Sequence, residues 1–224
     1  MKNMNKKNLT TASKINKMET INLPVIDENQ GRVFVYIDGS NLFHRIKKLS
    51  IREESFQYKK FIKWLVGKPA QTTRYYVGMI RWKEDCEKTQ VLYKTQQQRF
   101  ERLKKDDFYI VRGKMIPKGS TFVEKGVDVK IATDLVVGAL GDMYDEVYLL
   151  SSDGDLAPAV DYITSKTDKR IHYIAFEESY YSRDLLEKAT SMRMIKKDEL
   201  LQFGEEFLAV PLKTLDESVK NNIS

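Results

Sequence analysis

The chain has 224 residues, of which 42% are hydrophobic and 31% are charged, as is typical of a folded globular protein rather than a disordered one. No stretch approaches the ~20 apolar residues needed to cross a bilayer, and the lysine-bearing amino end lacks the apolar core of a secretory signal. We therefore expect no membrane association and a cytoplasmic location. A single cysteine, Cys86, excludes an internal disulfide and a cysteine-cluster metal site.

The net charge of +6 favours a polyanionic partner. The excess is concentrated in two stretches. Residues 44–68 hold eight Lys and Arg against two acids, and residues 81–114 hold ten against six. Because solvated helix faces also carry many charges, this basicity agrees with a nucleic-acid partner without identifying one.

Residues 1–28 lack periodicity, which predicts a flexible basic arm. The first ordered segment follows them. Residues 33–37 (VFVYI) are apolar and β-branched or aromatic, as in a strand buried on both faces. Asp38 ends the strand, Gly39 permits a tight turn, and Ser40 is a suitable N-cap for the amphipathic helix that follows. Asp38 therefore points into the crevice at the carboxyl edge of a sheet, or else it only satisfies amides of the turn.

Helical and strand patterns then alternate along the chain. In order, we predict a helix at 58–66, a strand at 72–81, a long polar helix at 83–105, a strand at 108–116 and a glycine-bearing loop at 118–126. Arg112 and Lys114 lie two apart in the last of these strands, so they share one face and can both meet a phosphate chain.

A helix is predicted next, over residues 125–140 (KGVDVKIATDLVVGAL). Asp128 falls in its first turn, where the helix dipole favours an acid for purely structural reasons as well. Asp134 is six residues further on and well rotated from Asp128. The two carboxylates therefore cannot both reach one point from a straight helix.

The opening pattern recurs at residues 146–151 (EVYLLS), a second doubly buried strand that ends in Ser152-Asp153-Gly154-Asp155. Asp155 is placed to cap the following helix, predicted at 156–165, whereas Asp153 has no such structural explanation. The remaining elements are a strand at 170–176, a short helix at 182–189 and an edge strand at 192–196. We expect one folded domain over residues 29–207 and a flexible tail over 208–224.

This alternation predicts an α/β fold, a Rossmann-like three-layer α/β/α arrangement with a mostly parallel sheet of five or six strands. If the strands before Asp38 and Asp153 are neighbours, these carboxylates lie within reach of one cation. With only two histidines in the chain, an all-oxygen site suits Mg²⁺ or Mn²⁺ rather than Zn²⁺. Neither a dinucleotide fingerprint nor a Walker A sequence is present, which disfavours a nucleotide cofactor.

Three motifs in register, YIDGSNLFHR, KGVDVKIATDL and LLSSDGDLAPAV, resemble the NYN domain, a branch of the PIN-like nuclease superfamily. The resemblance covers about Arg32 to Leu201. It implies a PIN-like fold and a metal-dependent ribonuclease. Residue by residue, the family's metal-binding acids match Asp38, Asp128 and Asp153, the asparagine that steadies the site matches Asn41, the second acid of the SDGD turn matches Asp155, and a recurrent helix acid matches Asp134.

We therefore expect hydrolysis of RNA phosphodiester bonds with Mg²⁺ or Mn²⁺ as cofactor, RNA as partner, Arg112 and Lys114 as backbone contacts, and possible homo-oligomers. Two alternatives remain. One is an RNA-binding or regulatory scaffold with a weak or vestigial site. The other is a metal-dependent phosphatase for small molecules, which usually has a second acid two residues after its nucleophilic carboxylate; here Ser40 stands at that position after Asp38.

Overall fold

A computed structural model describes residues 31–82, 84–118, 121–177 and 181–206; the predicted arm (1–28) and the predicted tail (208–224) lie outside these ranges. The strands are β1 Val33–Asp38, β2 Thr72–Met79, β3 Phe108–Lys118, β4 Thr121–Lys125, β5 Glu146–Leu150, β6 Arg170–Phe176 and β7 Ser191–Ile195. The helices are α1 Gly39–Lys48, α2 Tyr58–Val66, α3 Glu87–Lys105, α4 Val127–Leu140, α5 Ala157–Lys166, α6 Arg183–Lys188 and α7 Lys197–Leu201.

The sheet has seven strands in the order β4-β3-β2-β1-β5-β6-β7, so the expectation of five or six was too low. The extra strand is β4, in the segment that the sequence predicted to be a loop. It pairs antiparallel with β3, and every other pairing is parallel. The α/β, mostly parallel prediction is confirmed, and the short polar hairpin at one edge is its exception.

Two apolar cores lie on opposite faces of the sheet and make the three layers. One core joins the odd residues of β1 to buried side chains of α1, α2 and α3, including Leu42, Phe61 and Phe100. The other joins the even residues of β1 to α4, α5 and α6, including Ile131 and Val160. The sheet faces therefore follow the period of two along β1.

Strand β1 is central, with β2 on one side and β5 on the other. All six of its residues are buried, as its apolar sequence predicts. Ile37 is level with Leu150 of β5, so the chain segments that follow both strands emerge at the same sheet edge. This topology brings the two strand-aspartate motifs together.

Among the helices in the described ranges, none combines the length and the apolar character that a transmembrane segment needs.

Candidate functional site

Asp38 is the residue around which the site is built. It is 3% exposed and caps α1, since its Oδ1 accepts from the Asn41 backbone N–H at 3.1 Å and its Oδ2 from the Asn41 side-chain amide. The cap is therefore Asp38, and the prediction of Ser40 as N-cap is wrong. Burial raises the pKa of the Asp38 carboxyl, and the charge of Glu124 raises it further, against the lowering effect of the bonds from Asn41 and Ser151.

Ser151 ties the two strand-aspartate motifs to each other. It follows β5, is buried, and donates its hydroxyl to Asp38 Oδ2 at 3.3 Å. The same hydroxyl oxygen accepts from the backbone N–H of Asp153 at 3.1 Å. The turn that carries Asp153 is thereby held beside Asp38.

The turn after β5 reverses the predicted roles of its two acids. Asp153 caps the 3-10 turn Gly154–Leu156, and its Oδ1 accepts from the Asp155 N–H at 2.9 Å. The first turn of α5 has Leu156 at its N-cap, without a side-chain cap. Asp155 is therefore not the helix cap, and the capping role falls on Asp153, for which the sequence offered no structural explanation.

Asp128 completes a group of four acids, Asp38, Asp128, Asp153 and Asp155, which we call the carboxylate cluster. Partial burial and then the charges of Asp153, Asp38 and Asp155 raise the pKa of Asp128 to about 6. A hydrogen bond between the Asp128 and Asp153 carboxyls also favours the protonated form. Like charges thus face one another here from β1, from the first turn of α4 and from the turn after β5.

Glu124 is a neighbouring acid that the sequence reasoning missed. It lies on β4, and its carboxylate accepts from the Ser40 hydroxyl at 2.7 Å and from the backbone N–H of Gly78. The residue joins the hairpin to the turn after Asp38 and to the end of β2. Its position next to the KGVD motif was the available signal, but the prediction of a loop at 118–126 concealed that Glu124 faces the site.

Asp134 does not join the cluster. Its carboxylate pairs with the Arg74 guanidinium at 2.6 Å and accepts from the Tyr76 hydroxyl at 2.9 Å. Arg74 in turn lies over the rings of Tyr36 and Tyr109. As the helical spacing indicated, Asp134 faces a different surface from Asp128, and its contacts here are structural.

Arg112 and Lys114 are exposed on β3, but they lie on the other face of the sheet from Asp128. Their neighbour Val111 packs into the core under α4, and a Cβ on Gly113 would meet Val127. Because strand residues alternate between faces, Arg112 and Lys114 point to the side of α3. They share a face, as predicted, without touching the cluster.

The donor set of the cluster is suited to a hard cation, since all four side chains offer carboxylate oxygens. In the described ranges, no three acidic, histidine or cysteine side chains already stand close enough together to hold a metal ion. Ionised carboxylates without a counter-charge repel one another, so a bound cation would stabilise this group of acids. Partial burial and then the charges of Asp153, Asp38 and Asp155 raise the pKa of Asp128.

A seven-stranded α/β fold with acids at the carboxyl edge of its central strands defines a class of ligand-binding and catalytic domains. The model of the NYN domain matches residues 32–196, so the chain belongs to the NYN domain family. Membership of this family supports a nuclease-type function. No curated protein matches the sequence.

One solved structure shares the fold at low identity, and two others are more distant. A protein of unknown function from Vibrio parahaemolyticus is 20% identical, with a TM-score of 0.54 over 75% of this chain and 94% of its own. The bacteriophage T5 flap endonuclease, solved with DNA and metal ions, has a TM-score of 0.37 at 20% identity over 70% and 60% of the two chains. The T5 5'-exonuclease with bound zinc gives 0.33 at the same identity and coverage. At these two scores the likeness carries no argument about this chain.

Proposed function

We propose that the protein is a metal-dependent ribonuclease that hydrolyses RNA phosphodiester bonds at the carboxylate cluster. The observation that carries the proposal is the convergence of four acids from three separate chain segments, where partial burial and then the charges of the neighbouring acids raise the pKa of Asp128 to about 6. Repulsion of this kind destabilises the fold unless a cation is held there, which makes a purely structural role a poor explanation of the cluster.

In this proposal Asp38, Asp128 and Asp153 hold the cation, and Asp155 holds a second ion or orients a water. A shared positive charge would remove the repulsion among these three carboxylates. Asn41 and Ser151 fix the orientation of Asp38 by donating to its carboxylate. The rigid part of the site is thus the β1–α1 turn, and the adjustable part is Asp128 on its helix.

A hard divalent cation of the Mg²⁺ or Mn²⁺ type, when bound, supplies positive charge to the phosphate and lowers the pKa of a neighbouring water. The cluster residues place that charge at an open sheet edge, where an extended polyanion can approach. Asp155 is exposed and free of a capping role, so its carboxylate is available to accept a proton from the attacking water.

RNA is the proposed substrate because the net charge of +6 favours a polyanionic partner and the chain belongs to the NYN domain family. Lys114 is directly opposite Lys125 in the β3–β4 ladder. Like charges in this position destabilise a hairpin unless an anion lies between them. Lys114 and Arg112 would hold the RNA backbone where it passes from the cluster over the α3 face. We place this activity in the cytoplasm.

The test is cleavage of labelled single-stranded RNA with Mg²⁺, with Mn²⁺ or with EDTA. Wild type is expected to cut with either metal and not with EDTA, and Asp38→Asn is expected to lose at least a hundredfold in rate, because one ligand has lost its charge. Asp161→Asn, on the half-exposed face of α5 where Asp161 pairs with Lys188, is the control and should cut like wild type. Cleavage by Asp38→Asn at the wild-type rate would contradict the proposal.

The alternative is an RNA-binding scaffold with a vestigial site. The observation in its favour is that, in the described ranges, no three acidic side chains stand close enough to hold a metal ion. It predicts RNA binding that is equal with Mg²⁺ and with EDTA, and no cleavage under either condition. The same assay, with a binding measurement beside it, separates the two functions. A sedimentation measurement of the same samples determines whether the active form is a homo-oligomer.

A further inference from the structure

A cavity of about 250 Å³ lies directly beside the turn that carries Asp38. We call it the apical cavity. Gly39 and Ser40 line it on one side, and side chains from α1, α3 and the β3–β4 hairpin close the other sides. The principal lining side chains are Phe43, Ile80, Leu92, Thr95, Met115 and Phe122.

The walls of the cavity are largely apolar and rigidly held. The guanidinium of the buried Arg99 lies 4.3 Å from the centre of the Phe43 ring, and Arg99 is fixed by its ion pair with Glu53 at 2.8 Å. The Gln96 side-chain amide is hydrogen-bonded to the backbone, since its Oε1 accepts from Ile80 N–H and its Nε2 donates to Gly78 C=O. With these polar groups satisfied, the cavity offers mainly ring faces and aliphatic surface to a ligand, and the exposed His44 adds an imidazole to its lining.

Cationic and aromatic side chains are exposed on the hairpin and near α3, the elements that contribute walls to the cavity. Lys114 is opposite Lys125 in the β3–β4 ladder, on the strand face opposite to Met115 and Phe122, and among the described residues neither lysine has an acid within ion-pair distance. On the α3 side, Lys94 lies 5.8 Å from the ring of Trp82, which is itself exposed. A largely apolar slot beside the turn that carries Asp38 suits a flat ring whose attached phosphate would lie at that turn.

We propose that the apical cavity is a subsite for one unstacked nucleobase of single-stranded RNA, next to the phosphate that lies at the carboxylate cluster. The inference rests on the proposed nuclease function and adds its substrate class, because a base in a duplex cannot enter the slot without leaving its partner. The volume is below the about 300–1,000 Å³ of pockets for drug-sized ligands, which suits a single base. Contact through ring faces makes the subsite tolerant of base identity.

The experiment uses a set of single-stranded RNA decamers, each with one abasic site at a different position. Affinity is measured by fluorescence anisotropy in EDTA, and a gel shows that the RNA stays intact. One abasic position is expected to weaken binding by wild type about tenfold, since stacking of one base contributes on this scale. Blunt duplex RNA of the same length should bind more weakly than the single strand. A scan without any weak position would overturn the subsite.

Two variants test the location. Thr95→Trp fills the cavity, and the Thr95 hydroxyl it removes bonds only within α3, to Val91 C=O at 3.1 Å. This variant should bind intact RNA about tenfold more weakly and give a flat abasic scan. Val91→Trp, one turn earlier on α3 and 56% exposed, is the matched control and should behave like wild type. Leu92→Ala, which removes a wall of the slot, should also flatten the scan and does not depend on accommodating a larger ring.

The outcomes separate the two proposals. If wild type neither binds nor cuts single-stranded RNA, the nuclease function fails and the subsite fails with it. If wild type cuts RNA but the scan is flat, or if Thr95→Trp and Leu92→Ala keep the wild-type scan, the nuclease function stands and the subsite is wrong.

Discussion

Replacing Asp128 with asparagine is predicted to stabilise the metal-free protein at pH 8 and to have almost no effect at pH 4. The pKa of Asp128 is raised from 3.8 to about 6 in the fold, so the native state holds this proton more tightly than the unfolded chain does. The contribution of Asp128 to wild-type stability therefore falls as the pH rises from about 4 to about 7, where the unfolded chain loses the proton first. The asparagine variant has no such penalty.

The magnitude follows from the size of the shift. About two pH units correspond to at most ~3 kcal/mol at 1.36 kcal/mol per unit. Asp128 is partly exposed, and solvent screening reduces this to about 1.5 kcal/mol. Loss of an acid from the first turn of α4 costs about 0.3–1 kcal/mol. The net gain is about 1 kcal/mol at pH 8, or roughly 2–4 °C in melting temperature for a chain of this size.

The measurement is thermal melting by circular dichroism in EDTA at both pH values. Asp184→Asn is a matched control, because Asp184 is also the second residue of its helix, α6, but is exposed. It should lose stability slightly at pH 8, through the helix dipole alone. Adding Mn²⁺ should raise the melting temperature of wild type and not that of Asp128→Asn. If Asp128→Asn melts below wild type at pH 8, as Asp184→Asn should, the repulsion argument is refuted.

Three further predictions concern the support of the site and its affinity for RNA. Glu124→Gln should lower the free energy of unfolding by about 1–2 kcal/mol in urea titrations, because a neutral amide is a weaker acceptor for Ser40 and Gly78; unchanged stability would remove Glu124 from the support. Gly138→Ala should cost about 1–3 kcal/mol by the same assay, because its Cβ would lie 2.6 Å from the buried Tyr144 ring, and a neutral result would mean that the ring can move. Affinity for single-stranded RNA should fall at least tenfold between 50 and 200 mM salt as counterions are released, whereas a constant affinity would exclude the basic surface.

Sequence pattern predicted the central architecture well because the central strands are buried on both faces. The runs in β1, β5 and β6 are apolar and bounded by turns, so their existence and their parallel pairing follow from local signals. The hairpin strand β4 gives a different signal. It is short, at a sheet edge and partly polar, and its pairing with β3 depends on a turn rather than on burial. The five-residue helix α7 is likewise too short to show helical periodicity.

The candidate site could be predicted from the sequence where an acid stands at the end of a buried strand, because a carboxylate has few other uses there. Asp38 and Asp153 follow buried strands, and the sheet topology places both at one edge. The finer roles were not predictable, because several side chains of a turn compete for the same backbone N–H groups. The choice of Asp38 over Ser40, and of Asp153 over Asp155, is set by contacts that only the fold supplies, such as the buried hydroxyl of Ser151.

The most direct test of the central claim compares two aspartates that both match the family pattern but that the fold directs to different surfaces. Cleavage of single-stranded RNA in Mn²⁺ is measured for wild type, Asp153→Asn and Asp134→Asn at a temperature well below all three melting points. The account predicts that Asp153→Asn loses cleavage while Asp134→Asn retains it, although the latter melts lower because Arg74 has lost its partner. Loss of cleavage in Asp134→Asn with retention in Asp153→Asn would contradict the assignment of the carboxylate cluster as the catalytic site.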